Sequence, residues 1–600
     1  MSTQLSKNKI SSFCGDVVPL YLKSDKDLKY ENIIWNSDND AVFIREFCGT
    51  ENYGFNHGVL LTLSRVGECT VTAEYESKKY VCKVEIRERM HASSEEKMQY
   101  YIGDLHDHMS LEHDHDKFAE RDSGFPCEYI NQLKEEKRID FAVISDHGDV
   151  TNKTDFFRGF TDADEAECDE VVIFPGSESE VNAIEYDRFG IVHKNSGEIV
   201  CLNTSGFVAS DNWQTFYDEM KNNPSAVCIL AHPQIIGWDP YGIWDFSLSK
   251  NRGLSKYVRL VEMGDGSDRG SNIINEYVYS NALDNGFKVS VCCSSDSHGP
   301  EWGYDVFPGK TVVMATEKSK EAFLDALLSN RVYACESGNI KLSYTVNGQT
   351  APCTLSPDTS TYKFSISLSY FHDDKSTVPV RCEIISDYGK IVGVIENISS
   401  DLLDVEVRSD TARYFYLKFV DCECRRTFSM PVWTGRAADE PEQSNFVPLD
   451  KSEFKAYDEY SGSSADEVVN GNPLDVWHTD ECSASIVIDM GYERDVCAIA
   501  HYPVKLDHES RKKLPDVVIA LGAMPHRFTV SASADGTEYT KCTDGIIRVY
   551  GNEEVFEFPK CRARFLRFEA KSTSGTEYNA EKFKVGGLSI AELTPMTKID

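Results

Sequence analysis

The sequence of 600 residues has no C-x-x-C motif, although it carries 19 cysteines. They are scattered and odd in number, and Cys292–Cys293 and Cys422/Cys424 are the only close groupings. With neither zinc-finger spacing nor a small disulfide scaffold, a reducing compartment is favoured. The opening MSTQLSKNKISSF lacks the apolar core of a signal peptide, and no apolar run approaches the length of a membrane span. The chain therefore reads as soluble and cytoplasmic, with secretion as the alternative if a leader has been removed. Basic residues are short as well: 62 Lys and Arg stand against 98 Asp and Glu, a net charge of −36. A surface that acidic, without a basic stripe, repels nucleic acid and anionic lipid, so neither is an expected partner. A small anionic substrate remains compatible where bound cations reverse the local field.

What is present points to a folded protein throughout. Hydrophobic residues make up 41% and aromatics 11%, and a chain this long divides into roughly three to five domains. The expected architecture is multidomain, a central α/β unit flanked by β-sandwiches. Residues 1–92 read as short strands, at 59–63, 70–75 and 81–86, separated by turn residues such as Ser37-Asp38-Asn39-Asp40. In 93–337, apolar runs at 141–144, 171–174, 227–231, 258–263, 288–293 and 311–315 alternate with helical patterns at 128–137, 213–222, 272–285 and 318–329. Continuous apolar strands between helices imply parallel β/α units covered on both faces. Residues 338–440 turn all-β, and 449–600 form another β-unit.

Chemistry concentrates between His106 and His298. His106 and His108 form H-x-H, and alternate residues of a strand share a face, so both imidazoles can meet one metal. Asp146-His147 follows the run 141–144, and Glu178 follows 171–174 through Pro175-Gly176, read as a turn that exposes the carboxylate. His193 follows Gly190-Ile191-Val192, His232 ends 227–231, and Asp296-Ser297-His298 follows 288–293. Ligand-type groups just beyond successive strands sit where sites form in parallel α/β folds. Any one of these histidines alone is more simply a satisfied core or surface residue. Eight of the 15 histidines (106, 108, 113, 115, 147, 193, 232 and 298) fall in this one unit, and that joint pattern favours a metal cluster. Lys153, Arg158 and Arg269 read as surface charge, not phosphate ligands.

In order, G-D-L-H-x-H, S-D-H, P-G-x-E, a later His, A-H-P and S-D-S-H resemble the PHP (polymerase and histidinol phosphatase) superfamily. The resemblance implies a distorted (β/α)7 barrel over about 100–335, binding two or three divalent metals at the strands' carboxyl ends. It implies ligand roles for His106, His108, His147, Glu178, His193, His232, Asp296 and His298. A ninth ligand is implied five to seven places after His108, where Asp114 fits best and His113 and His115 compete. Ser145 and Met109 stand where the family commonly has Thr, and Thr or Ser. Asp146 is cast as a residue that orients a ligand or water. The nitrogen and oxygen donors suit Zn²⁺, Mn²⁺ or Fe²⁺. Two such ions would acidify a bridging water for in-line attack on a phosphoester.

The flanking units carry resemblances of their own. Ile34-Trp35-Asn36-Ser37 with Gly67-Glu68-Cys69-Thr70-Val71-Thr72-Ala73 resembles a bacterial immunoglobulin-like module, usually a spacer. Asn330-Arg331-Val332-Tyr333-Ala334 and Arg426–Trp433 are similar to PHP proteins of the DUF3604-like type with an appended sandwich. Val469-Asn470-Gly471-Asn472-Pro473, Trp477-His478-Thr479 and Arg564-Phe565-Leu566-Arg567-Phe568 resemble a discoidin (F5/8 type C) domain, a fold used for carbohydrate binding. Trp477 reads as core. The combined expectation is a phosphoesterase acting on a small phosphorylated or carbohydrate substrate. A hydrolase of a non-phosphate bond and a glycan-binding protein with an inactive barrel are the alternatives.

Overall fold

The structure is a computed structural model. It describes residues 3–599 apart from 25–27, 48–56, 94–95, 110–125, 137, 149–150, 152, 167–169, 187, 191, 208–209, 234–252, 265–268, 299–308, 372–374, 376, 438–444, 461, 505–522, 549–552 and 579–586. The protein is multidomain and dominated by strands. Among the described residues no helix is long and apolar enough to cross a membrane.

At the N-terminal end two four-stranded sheets face each other. One joins Gln4–Leu5, Val17–Lys23, His57–Leu63 and Val42–Phe47; the other joins Lys9–Phe13, Lys78–Arg87, Gly67–Tyr75 and Ile34–Ser37. Gly67–Tyr75 buries every second residue, the period that puts one face of a strand on a core. Leu20, Trp35, Val59, Leu61, Val71 and Val84 fill that core. The outer side of the first sheet is covered too. Tyr21, Phe47 and Leu60 pack against Phe156, Phe157, Phe160 and Phe207, with the Phe47 and Phe157 rings stacked at 5.3 Å. A free spacer would leave such aromatic surface in water, whereas this module is seated on the helix Lys153–Glu165.

The central sheet is mixed, not the uniformly parallel β/α alternation that the apolar runs suggest. Gln99–Gly103, Phe141–Ile144 and Val172–Tyr186 pair in parallel, as do Val227–Leu230, Val258–Gly264 and Ser290–Cys293. Between the two sets lies a long antiparallel hairpin, Val172–Tyr186 with Val192–Leu202. The expected turn at Pro175-Gly176 is therefore strand, with Pro175 opposite Ile144. The chain beyond the first strand of the run meets the chain beyond the last. Asp296 N–H donates to the His106 carbonyl and His108 N–H to the Ser297 carbonyl, each at 2.9 Å. The short strands are buried along their whole length, as runs such as Phe-Ala-Val-Ile and Val-Cys-Ile-Leu require.

Beyond the central unit the sheet continues without a break. Val332–Cys335 pairs with Arg426–Phe428, which leads through Tyr414–Asp421 and Pro379–Ser386 to Lys390–Glu396. A separate sheet of Gln349–Thr350, Ile340–Val346, Thr361–Tyr370 and Leu402–Arg408 shares a core with it. The last unit is built on Ala484–Tyr502 paired with Glu554–Ala570, and Trp477 is buried in its core. Arg548 joins this unit to the helix Arg269–Asp284 through Asp284 and Ser280.

Candidate metal centre

Short buried strands deliver the ligand-type residues to one place. After Gln99–Gly103 the chain passes through His106 and His108, whose Nε2 atoms lie 3.1 Å apart. Asp104 Oδ1 accepts from His106 N–H at 3.2 Å and Ser295 N–H at 3.1 Å, tying the H-x-H segment to the Asp296 segment. Asp146 Oδ1 accepts from Met109 N–H at 2.8 Å. Asp146 thus holds the backbone behind His108, and Met109 contributes its amide while its side chain joins an apolar cluster with Tyr129 and Ile144. Ser145 Oγ links to both the N–H and the carbonyl of Asp107, so the serine suffices to lock these two strands.

Glu178 lies at the centre. Its Oε1 is 3.2 Å from His106 Nε2 and 3.1 Å from His232 Nε2. Its Oε2 is 3.0 Å from His147 Nδ1 and 3.4 Å from His108 Nε2. Asp296 Oδ1 sits 3.1 Å from His108 Nε2 and 3.4 Å from His106 Nε2. His298 Nε2 is 3.3 Å from His147 Nε2, and its Nδ1 is 3.1 Å from the Asp296 carbonyl. His232 and Asp296 have φ of 22° and 51°, a region that side chains other than glycine rarely adopt. Such strain persists where the surroundings over-determine a functional geometry.

The residues fit divalent cations. Both oxygens of Glu178 and Oδ1 of Asp296 are buried and accept no hydrogen bond, a costly arrangement for carboxylates with nothing but ring nitrogens beside them. Four overlapping triads bring their ligand atoms within 4.8 Å of one another: His108/His147/His298, His106/His108/Asp296, His106/Glu178/His232 and His147/Glu178/Glu198. The triads share members, as the residues of a site for more than one ion would.

The field is strongly negative. Burial alone would lower the pKa of His106, but Glu178, Asp296 and Glu262 outweigh it and raise it well above the ordinary imidazole value. His232 is pushed up to about 10, again against burial, by Glu178, Asp296 and Glu198. Glu178 and Asp296 are buried, which would raise them, yet their histidine neighbours hold both below the ordinary carboxylate range. Glu198 is driven the other way, up to about 7, by burial and by the charge of Glu178. Positive charge is what this pocket favours, whether protons on imidazoles or metal ions.

Of the expected ligands, His106, His108, His147, Glu178, His232, Asp296 and His298 converge. Asp114, with His113 and His115, lies outside the described residues. The side chain of His193 lies outside the described residues; its backbone stands in the hairpin opposite Glu185, five residues along the strand from Glu198. Two carboxylates that the sequence reading passed over are present instead. Glu198 has Oε2 3.4 Å from His232 Nε2 and Oε1 3.9 Å from His147 Nδ1. Glu262, fully buried, places Oε1 3.4 Å from His106 Nδ1 and accepts from His232 N–H at 2.6 Å through Oε2. A lone acid in the apolar strand Val-Arg-Leu-Val-Glu-Met-Gly was the available signal for Glu262. Glu198 gave none, being one polar residue among Lys194-Asn195-Ser196-Gly197.

A scan against protein-family models and a search of curated proteins give no match. Solved structures similar to this chain include carbohydrate-binding modules. One is CpGH89CBM32-5 from Clostridium perfringens in complex with GalNAc-β-1,3-galactose: 18% identity, 25% of this chain, 99% of that chain, TM-score 0.20. The family 32 module of C. perfringens NanJ, in complex with galactose, has 19% identity, 25% and 99% coverage and TM-score 0.20. The C-terminal domain of a chitobiase from Bacteroides fragilis has 18% identity, 26% and 100% coverage and TM-score 0.19. The first two are family 32 carbohydrate-binding modules. Each likeness spans about a quarter of the chain, and none bears on the histidine and carboxylate cluster.

Proposed function

We propose that the chain is a metal-dependent phosphoesterase of the PHP kind, with residues 93–337 as its distorted (β/α)7 barrel. The observation that carries this is the convergence of seven expected ligands, among them Glu178, whose buried carboxylate oxygens accept no hydrogen bond. Two or three divalent ions held there would supply Lewis-acid polarisation of a phosphoryl oxygen and acidification of a water. The chain's own residues do the positioning. Glu262 faces Nδ1 of His106, which leaves Nε2 directed at Glu178, and it pins the His232 backbone. His106, His108 and Glu178 form a floor sealed from solvent, with side chains 0% exposed. His147, Glu198, Asp296 and His298 form the side open to solvent, 18–29% exposed, and a phosphoester reaches the cluster there.

The substrate class we infer is a phosphorylated sugar or glycan, because 449–600 carries a discoidin-like sequence, a unit read as binding glycans. The test is hydrolysis by metal-loaded protein and by Glu178→Gln over phosphomonoesters, phosphodiesters, acyl esters and glycosides. Phosphate release by the parent and loss in the variant are expected. Turnover of acyl or glycosidic substrates alone would move the chain to the non-phosphate alternative. Absence of bound metal would leave the glycan-binding reading.

A further inference from the structure

Glu198 is a ligand-type residue of the cluster that neither the histidine motifs nor their spacing announce. Val192–Leu202 runs antiparallel to Val172–Tyr186, with Glu178 opposite Val200 and Glu180 opposite Glu198. Opposed residues of an antiparallel pair share a face, as do residues two apart on a strand, so Glu198 and Glu178 fall on the same side of the hairpin. On its other edge the strand is fastened next to His232: Ala231 N–H donates to the Glu198 carbonyl at 3.1 Å. The Glu198 carboxylate consequently spans two histidines of the cluster, one oxygen near His232 and the other near His147. The backbone of His193 lies five residues further along this strand, about 17 Å at roughly 3.4 Å per residue.

Glu198 also makes the ligand triads chemically unlike. His108, His147 and His298 offer three nitrogens, whereas His147, Glu178 and Glu198 offer one nitrogen and two carboxylates. Imidazole donors suit zinc and iron, and carboxylate donors suit manganese and magnesium.

We propose that Glu198 is a metal ligand, standing in for His193, and that it makes one position of the cluster carboxylate-rich and selective for a hard divalent ion such as Mn²⁺ over Zn²⁺. The inference rests on the metal-dependent reading above and deepens it. Its test uses the full chain stripped of metal, then loaded with Mn²⁺, with Zn²⁺ or with an equimolar mixture. Bound metal is counted after desalting, and Mn²⁺ affinity is read from the EPR signal of the free ion. Glu198→Gln is expected to lose one Mn²⁺ equivalent, or to weaken one Mn²⁺ site about 10- to 100-fold, the range seen even for outer-shell changes. Glu198→His is expected to keep the metal count while the mixture shifts toward Zn²⁺, and His193→Ala to change neither. Unaltered Mn²⁺ number and affinity in Glu198→Gln, loss in His193→Ala, or an unshifted mixture in Glu198→His each overturn the proposal. A parent chain that binds no metal at all overturns the phosphoesterase reading with it, an outcome plainly separate from the other three.

Discussion

Arg548 and Glu178 are both almost wholly removed from solvent, yet their neighbours treat them differently. Arg548 Nε donates to Glu554 Oε1 at 2.8 Å, and its Nη1 reaches Asp284 Oδ2 at 2.5 Å and Ser280 Oγ at 2.9 Å. Arg413 Nε donates to Asp387 Oδ1 at 2.6 Å and its Nη2 to Asp284 Oδ1 at 2.9 Å. Even Tyr388, held at φ 59°, gives its N–H to Asp284. Charge in this junction between units is matched and hydrogen-bonded, which is how buried ions are tolerated. Around Glu178, carboxylates crowd against imidazoles, buried oxygens accept no hydrogen bond, and the field favours added positive charge. The junction is complete in itself, whereas the cluster is convergent and leaves buried carboxylate oxygens without a hydrogen bond.

Replacing Glu178 by Gln should have the largest effect. The variant keeps the shape but loses the charge that faces four histidines. Hydrolysis should fall by at least about 100-fold, since outer-shell changes alone reach 10- to 100-fold, and metal content should fall with it. Full activity in this variant, measured at saturating metal, would remove the centre from the mechanism. Arg548→Met attacks the other cluster. Leaving Asp284 and Glu554 buried without their arginine should cost about 3–5 kcal/mol in chemical denaturation. Metal content of the folded variant should not change. If it fell, the two clusters would be coupled and the contrast between them wrong.

The sequence shows the cluster best where a histidine or acid closes a short apolar strand. His147, His232, Asp296 and His298 all follow such runs, and burial of the strand is what makes the run apolar. His193 satisfies the same rule locally, and its side chain lies outside the described residues. Pro175-Gly176 reads as a turn because its residues favour one, but parallel pairing with Phe141–Ile144 overrides that preference. The helix Lys153–Glu165 escaped notice because its apolar face, Phe156, Phe157 and Phe160, turns toward the N-terminal module. Long-range partners decided these cases, and local patterns do not record partners. A sheet continuing from Val332–Cys335 to Arg426–Phe428 leaves no trace in either segment.

Glu262 offers a finer test of the contrast, because it touches the ligands and not the proposed metals. Glu262→Gln retains the acceptor for His232 N–H but weakens the hold on His106 Nδ1. Metal affinity should drop about 10- to 100-fold without loss of stoichiometry at saturating metal. Competition against a chelator of known affinity measures it. A change in stoichiometry would make Glu262 a direct ligand.

His501 shows that a buried atom without a partner is not enough to make a site. Its Nε2 is buried and makes no hydrogen bond, as in the cluster around Glu178, but among the described residues it belongs to no group of three or more convergent ligand-type side chains. Burial alone lowers its pKa to about 3. Folding therefore excludes the proton that an exposed imidazole takes up near pH 6.5. The stability it contributes is complete above pH 6.5 and is lost as pH falls from there toward 3, at about 1.4 kcal/mol per pH unit. His501→Phe should abolish that increment, so that the C-terminal unit loses less stability between pH 6 and pH 4 than the parent does. The comparison needs thermal melts of both chains across this range, made without metal so that the cluster's own protons contribute equally. Parallel pH profiles would mean that His501 can be protonated within the fold, and the distinction between isolated and convergent buried groups would then need another basis.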